Sequence, residues 1–316
     1  MIKEKIKKEL EKVIIGQEDV INKLLIAIFS GGHTLIIGVP GLAKTLLVSS
    51  LGKSLDLSFS RIQFTPDLMP SDITGTEIIQ ESKDGKRTFR FVKGPVFANL
   101  VLADEINRAP PKTQAALLEA MQERKVTFGG KNYLLEDPFF VIATQNPIEQ
   151  EGTYPLPEAQ LDRFMFSIKI DYPGEESEKT IIAGGIIHSP KDIKKVIAKG
   201  EWKKISDDIR SVPVSEEVLD FILRLTKLTR PGETEIPDVK KYVEWGVSPR
   251  GGQYLLLGAK ARAFLDGRPT PSFKDVMEVI HPVFDHRIIT NFLASADGVT
   301  PSKVVDIVCS YANKNP

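Results

Sequence analysis

The chain has 316 residues, of which 41% are hydrophobic and 27% are charged, the proportions of a soluble globular protein with two domains. Lys and Arg number 42, as do Asp and Glu, so the formal net charge is zero and gives no general attraction to nucleic acid or to an anionic membrane. The single cysteine, Cys309, excludes an internal disulfide, and no apolar run approaches membrane-spanning length. These features predict a cytoplasmic protein without membrane insertion.

In chain order, the hydrophobic pattern predicts two helices within residues 1–30, then a short strand, a Gly-rich loop and a helix across residues 33–51. Further strands are predicted at 58–64, 100–103, 139–144 and 164–168, and a helix at 111–123. One hairpin is expected with its turn at 83–86 and another around Gly129-Gly130. Beyond the turn at Pro173-Gly174, only helical spacing is found.

The alternation of apolar strands and helices predicts an α/β fold class with a parallel sheet between two helical layers. This three-layer domain is expected to span residues 1–173, with hairpin insertions at about 71–93 and 124–138. Residues 174–316 are expected to form a smaller domain that is entirely helical.

The first motif with chemical meaning is a phosphate-binding loop pattern, G-x-x-x-x-G-K-[ST], at the end of the first strand. Its residues are Gly38, Val39, Pro40, Gly41, Leu42, Ala43, Lys44 and Thr45, followed by Leu46 in the helix. Backbone N–H groups and the positive end of the helix would converge on one anion there. Lys44 is unfavourable at a helix N-terminus unless an anion binds, which argues against the alternative of a plain strand-to-helix turn. Ala43 replaces the second Gly, and we expect it to need no positive φ.

The second motif is the carboxylate pair Asp104-Glu105, at the end of a predicted buried strand where α/β sheets bind ligands. Phosphoryl-transfer chemistry predicts that Asp104 and Thr45 hold Mg²⁺ and that Glu105 polarises the attacking water. The alternative is an acidic strand end that merely enters a loop. Asn146 follows the next strand, where it could orient that water or could simply open a turn with Pro147.

These motifs, in this order and followed by a helical domain, resemble an AAA+ ATPase, and longer stretches resemble its MoxR family. The stretches are residues 38–45, 61–75, 94–97, 103–112 and 156–164. Ala before the P-loop lysine is usual in that family, so Ala43 becomes part of the match. The resemblance covers nearly the whole chain and implies a P-loop NTPase (AAA+) domain with a helical lid, which binds ATP and Mg²⁺ and hydrolyses ATP.

The resemblance also implies roles for individual residues. Lys44 would contact the β- and γ-phosphates, Asp104 and Glu105 match the Walker B pair, and Asn146 matches sensor 1. Ile15 and Gly16 match the segment that lines the adenine pocket.

Two arginines match positions that act around the phosphates, and a third, Arg108, lies in the loop after the Walker B pair. Arg163 matches the arginine finger, which acts on ATP bound by the neighbouring subunit; the alternative is an ion pair with Asp162. Arg250 matches sensor 2 and is expected to reach the γ-phosphate of its own subunit; the alternative is a solvated helix end. Arg108 is either a second interface cation or the cap of a turn.

The family resemblance implies a homo-oligomer, a hexameric ring, that remodels a protein client in a chaperone-like way. In the family such clients include proteins that receive metal cofactors, and partners often carry a von Willebrand A domain. One alternative is a nucleic-acid translocase or helicase, which predicts a basic hairpin, whereas the Gly129 hairpin carries only Arg124, Lys125 and Lys131. The other is a binding module that holds nucleotide without hydrolysis, against which Glu105 and Arg163 argue.

Overall fold

The computed structural model describes residues 2–81, 87–148, 152–184 and 193–314. Within these ranges no helix has both the length and the apolar character that crossing a bilayer requires. The first half contains α1 (Ile2–Leu10), α2 (Glu18–Phe29), β1 (Thr34–Ile37), α3 (Lys44–Ser54), β2 (Phe59–Gln63), α4 (Pro70–Thr74), β3 (Gly75–Glu81), β4 (Arg87–Lys93), β5 (Leu100–Asp104), α5 (Pro111–Glu123), β6 (Lys125–Phe128), β7 (Lys131–Leu134), β8 (Phe140–Gln145), α6 (Glu158–Leu161) and β9 (Phe166–Lys169). The rest contains α7 (Glu175–Gly184), α8 (Trp202–Ser211), α9 (Glu216–Leu228), α10 (Pro237–Tyr242), β10 (Val243–Trp245), α11 (Pro249–Leu265), α12 (Phe273–Phe284), β11 (Ile289–Thr290), α13 (Phe292–Ala296) and α14 (Pro301–Lys314).

The central sheet has the strand order β2-β5-β8-β1-β9, and every neighbouring pair runs parallel. Successive side chains of its strands enter two different apolar clusters on the two faces of the sheet. In β1, for example, Leu35 belongs to one cluster and Ile36 to the other, because side chains alternate along a strand. Helices cover both faces, so the predicted three-layer α/β domain with a parallel sheet is confirmed.

Two antiparallel hairpins project from this domain, β3–β4 and β6–β7, as the sequence predicted. The predicted turn at 83–86 lies outside the described residues. The hairpins contact each other through Phe91, whose ring stacks on Tyr133 with centroids 4.2 Å apart and lies 5.3 Å from Phe128. They therefore form one joined surface.

The segment after residue 174 is mainly helical, with one exception. Val243–Trp245 and Ile289–Thr290 pair as a short antiparallel ribbon, β10–β11, which the predicted helical lid did not include. Three residues of extended backbone are too few to give a periodic signal in the sequence. In this segment α11 packs on α2, and α12 packs on β9. The boundary at 173 stays a prediction.

His33 lies just before β1 and is buried among the strands. Its Nδ1 accepts the Val141 N–H at 3.0 Å, and burial lowers the pKa of His33 to about 4. Since the unfolded chain would bind a proton near pH 6.5, stability is present above that pH and is lost as pH falls towards 4.

We expect this one histidine to remove roughly 3 kcal/mol of stability between pH 7 and pH 4. Chemical denaturation at several pH values would measure it, with His33→Asn as the comparison because Asn can still accept the Val141 N–H. The wild-type free energy of unfolding should fall more steeply with acid than that of the variant; parallel pH profiles would contradict the assignment.

Candidate functional site

The carboxyl ends of three adjacent strands bring the predicted motifs together. β8 lies between β1 and β5, so the loop that follows β1, Asn146 after β8 and the carboxylate pair at the end of β5 share one edge of the sheet. All parallel strands end on the same side, which is why a parallel sheet concentrates ligand-binding groups there.

The loop from Gly38 to Ala43 turns sharply before α3. Gly41 has φ +87°, and a Cβ built on it meets no atom within 4 Å. Ala43 has φ +53°, in the left-handed region, so the expectation that it needs no positive φ is wrong. An L-residue there costs about 1 kcal/mol or more, a strain that the surrounding structure has to offset.

Lys44 begins α3 and is half-buried. Its Nζ donates to the carbonyl oxygens of Gly38 at 2.6 Å and Val39 at 3.2 Å. Burial lowers the pKa of Lys44, while the charges of Asp104 and Glu105 act against this shift. The ammonium group therefore lies within electrostatic reach of both carboxylates and bonds the loop's own carbonyls.

Asp104 is buried, with 8% of the residue exposed, and both carboxylate oxygens have partners. The hydroxyl of Thr144 donates to Oδ1 at 2.6 Å, and the Arg61 guanidinium donates to Oδ2 at 2.7 Å. Arg61 stands on β2, the neighbouring edge strand, and supplies the opposite charge that a buried carboxylate requires.

Glu105 follows directly and has φ +56°, again in the left-handed region. Its N–H donates to the Thr144 hydroxyl at 2.8 Å, and its Oε2 accepts from Gln63 Nε2 at 2.8 Å and from Arg108 Nη1 at 3.1 Å. Strained backbone of this kind is typical of functional positions, where it aims a side chain. Arg108 forms an ion pair with Glu105, which neither of its two predicted roles included.

The residues present fit a nucleotide with Mg²⁺. In the described part of the chain no group of three His, Cys, Asp or Glu side chains could hold a metal unaided, and Thr45 stands in the first turn of α3, next to Lys44. One carboxylate, one hydroxyl and the oxygens of phosphates and water form the ligand set that Mg²⁺ prefers. A magnesium ion that used Asp104 Oδ2 would replace the contact with Arg61.

The predicted adenine segment packs against the chain that follows β9. Gly16 has φ +75°, and a Cβ there would come within 2.6 Å of Ser177 Cβ. The side chain of Gln17 donates to the Asp171 carbonyl at 3.1 Å. Ile15 and Gly16 therefore lie beside residues 171–177, and the close approach explains the glycine.

Arg163 and Arg250 lie at the opposite edge of the sheet, where the parallel strands begin rather than end. Arg163 precedes β9, which runs parallel to β1, and its Nη1 donates to the Leu118 carbonyl at 3.0 Å. Arg250 Nη1 donates to Asp162 Oδ2 at 3.3 Å. The length of a four-residue strand, roughly 13 Å, separates this edge from the P-loop edge. Arg250 is thus not placed near the P-loop of its own subunit, contrary to expectation.

The charges of the second hairpin are partly neutralised. Arg124 pairs with Asp137 at 2.7 Å, and Lys125 lies 3.7 Å from Glu123. A nucleic-acid translocase would require a strongly basic surface, and the positive charge of this hairpin is low. The hairpins instead expose apolar side chains: Ile79 is 61% exposed, Phe89 70% and Leu134 75%.

The comparisons with known proteins agree with this architecture. The family model of the ATPase family associated with various cellular activities (AAA) matches residues 33–166, and the AAA lid domain model matches residues 237–308. Chaperone MoxR1 of Mycobacterium tuberculosis is 42% identical over 95% of this chain and 79% of its own length. The chain belongs to the MoxR family of AAA+ ATPases. Protein MoxR of Methylorubrum extorquens is 30% identical over 89% of this chain and 85% of its own. A crystal structure of a candidate ATPase from Cytophaga hutchinsonii superposes with a TM-score of 0.89 at 44% identity, covering 98% of this chain and 94% of that one.

Sequence reasoning missed several residues of this MoxR-family site. Arg61 and Gln63 are two positions apart on β2 and so share a face, a signal that alternation offers once β2 is known to neighbour β5. Thr144 stands one strand away from the carboxylates that it bonds. Arg287, which holds Asp162 from the lid, had no signal in the sequence.

Gly41→Ala tests whether the loop of this MoxR-family protein is a phosphate cradle. The new methyl group would occupy the open space beside the loop, so we expect nucleotide affinity, measured by calorimetry, to fall at least about tenfold. Gly31→Ala is the matched control, since Gly31 also has positive φ (+76°) with no neighbour within 4 Å but lies outside the loop. Both variants should lose about 1–2 kcal/mol of stability. Equal loss of affinity in both would argue against the cradle.

Proposed function

We propose that this protein hydrolyses Mg-ATP at the interfaces of a homo-oligomeric ring, a hexamer by family analogy, and uses the cycle to remodel a protein client. One observation carries the proposal: Lys44, Asp104 and Glu105 share the carboxyl edge of the sheet, while Arg163 and Arg250 lie at the other edge. A complete site then needs two subunits in head-to-tail contact.

The P-loop side of the interface binds the nucleotide and activates the attacking water. Backbone N–H groups of the loop and Lys44 hold the phosphates, and Lys44 leaves the Gly38 and Val39 carbonyls to do so. Glu105 exchanges its hydrogen bonds with Gln63 and Arg108 for one that it accepts from the attacking water, which it thereby orients. Thr45 and Asp104 would hold Mg²⁺, which would neutralise the charge that develops on the phosphate.

Asn146 supplies a neutral donor between the phosphates and the carboxylates. It is buried, with 6% exposed, and its Oδ1 accepts the Ile148 N–H at 3.1 Å. The amide NH₂ is then the group that would donate to the water or to the γ-phosphate.

The other side of the interface contributes two cations. We propose that both Arg163 and Arg250 act on the ATP of the neighbouring subunit. Guanidinium groups suit phosphate oxygens, and a cation that crosses the interface makes hydrolysis depend on assembly.

The two joined hairpins are proposed to contact the client through their exposed apolar side chains. Ile79 and Phe89 pair directly across β3 and β4, which makes one apolar patch on a projecting hairpin. The name of the mycobacterial relative, a chaperone, supports a protein client. Metal-cofactor insertion and a von Willebrand A domain partner extend the proposal by family analogy alone.

Glu105→Gln is expected to keep ATP binding and to lower the rate of hydrolysis by about 100-fold or more, because the amide cannot polarise water as a carboxylate does. Phosphate release and nucleotide affinity would be measured on the same preparation. Glu217→Gln, an exposed residue of α9, removes an equal charge elsewhere and should leave both unchanged. Unaltered hydrolysis in Glu105→Gln would refute its assignment.

Mixing experiments locate the sites on which the arginines act. Arg163→Ala and Arg250→Ala should each be nearly inactive alone, as should Glu105→Gln. If an arginine acts on its neighbour, mixing its Ala variant with Glu105→Gln restores hydrolysis, since some interfaces pair an intact P-loop side with an intact arginine. If Arg250 instead serves its own subunit, its mixture stays inactive, and our assignment of Arg250 is wrong.

A further inference from the structure

The guanidinium of Arg287 clamps the segment that carries Arg163. Arg287 lies between α12 and β11 of the lid, and 2% of its side chain is exposed. Its Nε donates to Asp162 Oδ1 at 2.8 Å, and Nη2 donates to the main-chain oxygens of Asp162 at 3.0 Å and Phe164 at 2.6 Å. Nη1 donates to the Met165 carbonyl at 3.2 Å. These partners flank Arg163 on both sides.

The same guanidinium is fixed within the lid. Nη1 also donates to the carbonyl of Val283 in α12, and Cζ lies 5.0 Å from the ring centroid of Tyr254 in α11. Burial lowers the pKa of Arg287, and the Asp162 charge opposes this shift. An arginine nevertheless keeps its charge in proteins, so the contact is a buried charge pair.

Asp162 links the clamp to the second cation. Its Oδ1 accepts from buried Arg287, and its Oδ2 accepts from Arg250, whose side chain is 50% exposed. One lid residue thus fixes the backbone on either side of Arg163 and the carboxylate that receives Arg250. Any displacement of the lid at this point moves both cations together.

Stability alone is a poor reason for such an arrangement. A buried ion pair loses much of its Coulomb energy to desolvation and is often no better than an apolar pair of the same volume. The planar guanidinium group of Arg287 does offer geometric precision, because several donors fix the position and the angle of one short segment.

We propose that Arg287 is a positioning residue that couples the lid of one subunit to the ATP site of the next, through Asp162, Arg163 and Arg250. The inference rests on the proposed function. It adds a residue that is proposed to contact neither the nucleotide nor the neighbouring subunit and to fix the positions of the Arg163 and Arg250 side chains.

Arg287→Gln is expected to lower the ATPase rate about 10- to 100-fold, the range seen when groups that orient catalytic side chains are removed. The affinity for nucleotide should stay within about twofold, because the P-loop lies at the other edge of the sheet. Arg287→Lys keeps a cation near Asp162 but cannot bond several carbonyls at once, so it should fold normally and show an intermediate loss.

The decisive measurement is the mixture of Arg287→Gln with Glu105→Gln. The first variant keeps an intact P-loop side and the second keeps intact cations, so roughly a quarter of the interfaces in a random equimolar mixture would be competent. Hydrolysis should rise well above that of either variant alone. A lid that merely unfolds would not assemble and would give no such rise, which would overturn the proposal.

Arg262→Gln is the matched control. It breaks another ion pair of the lid, with Asp275, whose side chain is fully buried, and Arg262 forms its ion pairs with Asp275 and Glu278 of α12. We expect an ATPase rate within about twofold of wild type. An equal loss in Arg262→Gln would show that general lid stability accounts for the effect and would overturn the role of Arg287.

The Arg163→Ala mixture separates this inference from the function beneath it. If Arg163→Ala with Glu105→Gln recovers activity and Arg287→Gln with Glu105→Gln does not, the role of Arg287 is wrong and the shared site stands. If neither mixture recovers, the shared site is wrong and the coupling falls with it.

Discussion

The common direction of five strands is the constraint on which the rest of the molecule depends. Because β1, β5 and β8 run parallel and adjacent, the P-loop, Asn146 and the Asp104-Glu105 pair end on one side of the sheet. Because β9 runs the same way, the segment before it, with Arg163, begins on the other side. A single subunit therefore separates the carboxylates and the phosphate-binding loop from Arg163 and Arg250, and the head-to-tail packing that we propose would bring them together.

Burial imposes a second constraint on the carboxylates. Two acidic side chains at the end of a buried strand require partners, and Arg61, Gln63, Thr144 and Arg108 supply them. These partners also restrain Asp104 and Glu105 in the absence of ligand. The network thus serves the stability of the sheet edge, while each of its bonds to a carboxylate competes with a bond that the nucleotide, its metal or the water would make.

The sequence predicted the sheet, its helical layers and both hairpins, because these depend on periodicity and turn residues that are local in the chain. It also predicted which residues gather at the carboxyl edge, since strand ends and motif spacing suffice for that. The predicted conformation of Ala43 was wrong, because the whole loop determines which backbone region this residue adopts. The contact of Arg250 with Asp162 was not predicted, because it depends, like the packing of α12 on β9, on tertiary structure. Arg287 was absent from the prediction for the same reason.

The attachments of the lid along β9 differ in strength from one end to the other. At the amino end, Arg287 is buried and bonds one carboxylate and several carbonyls. At the carboxyl end, beside the P-loop edge, Lys169 lies 4.0 Å from Asp285 with 64% of its side chain exposed, an ion pair worth little in water. The lid is therefore held more firmly at the end of β9 that carries Asp162 than at the end beside the P-loop.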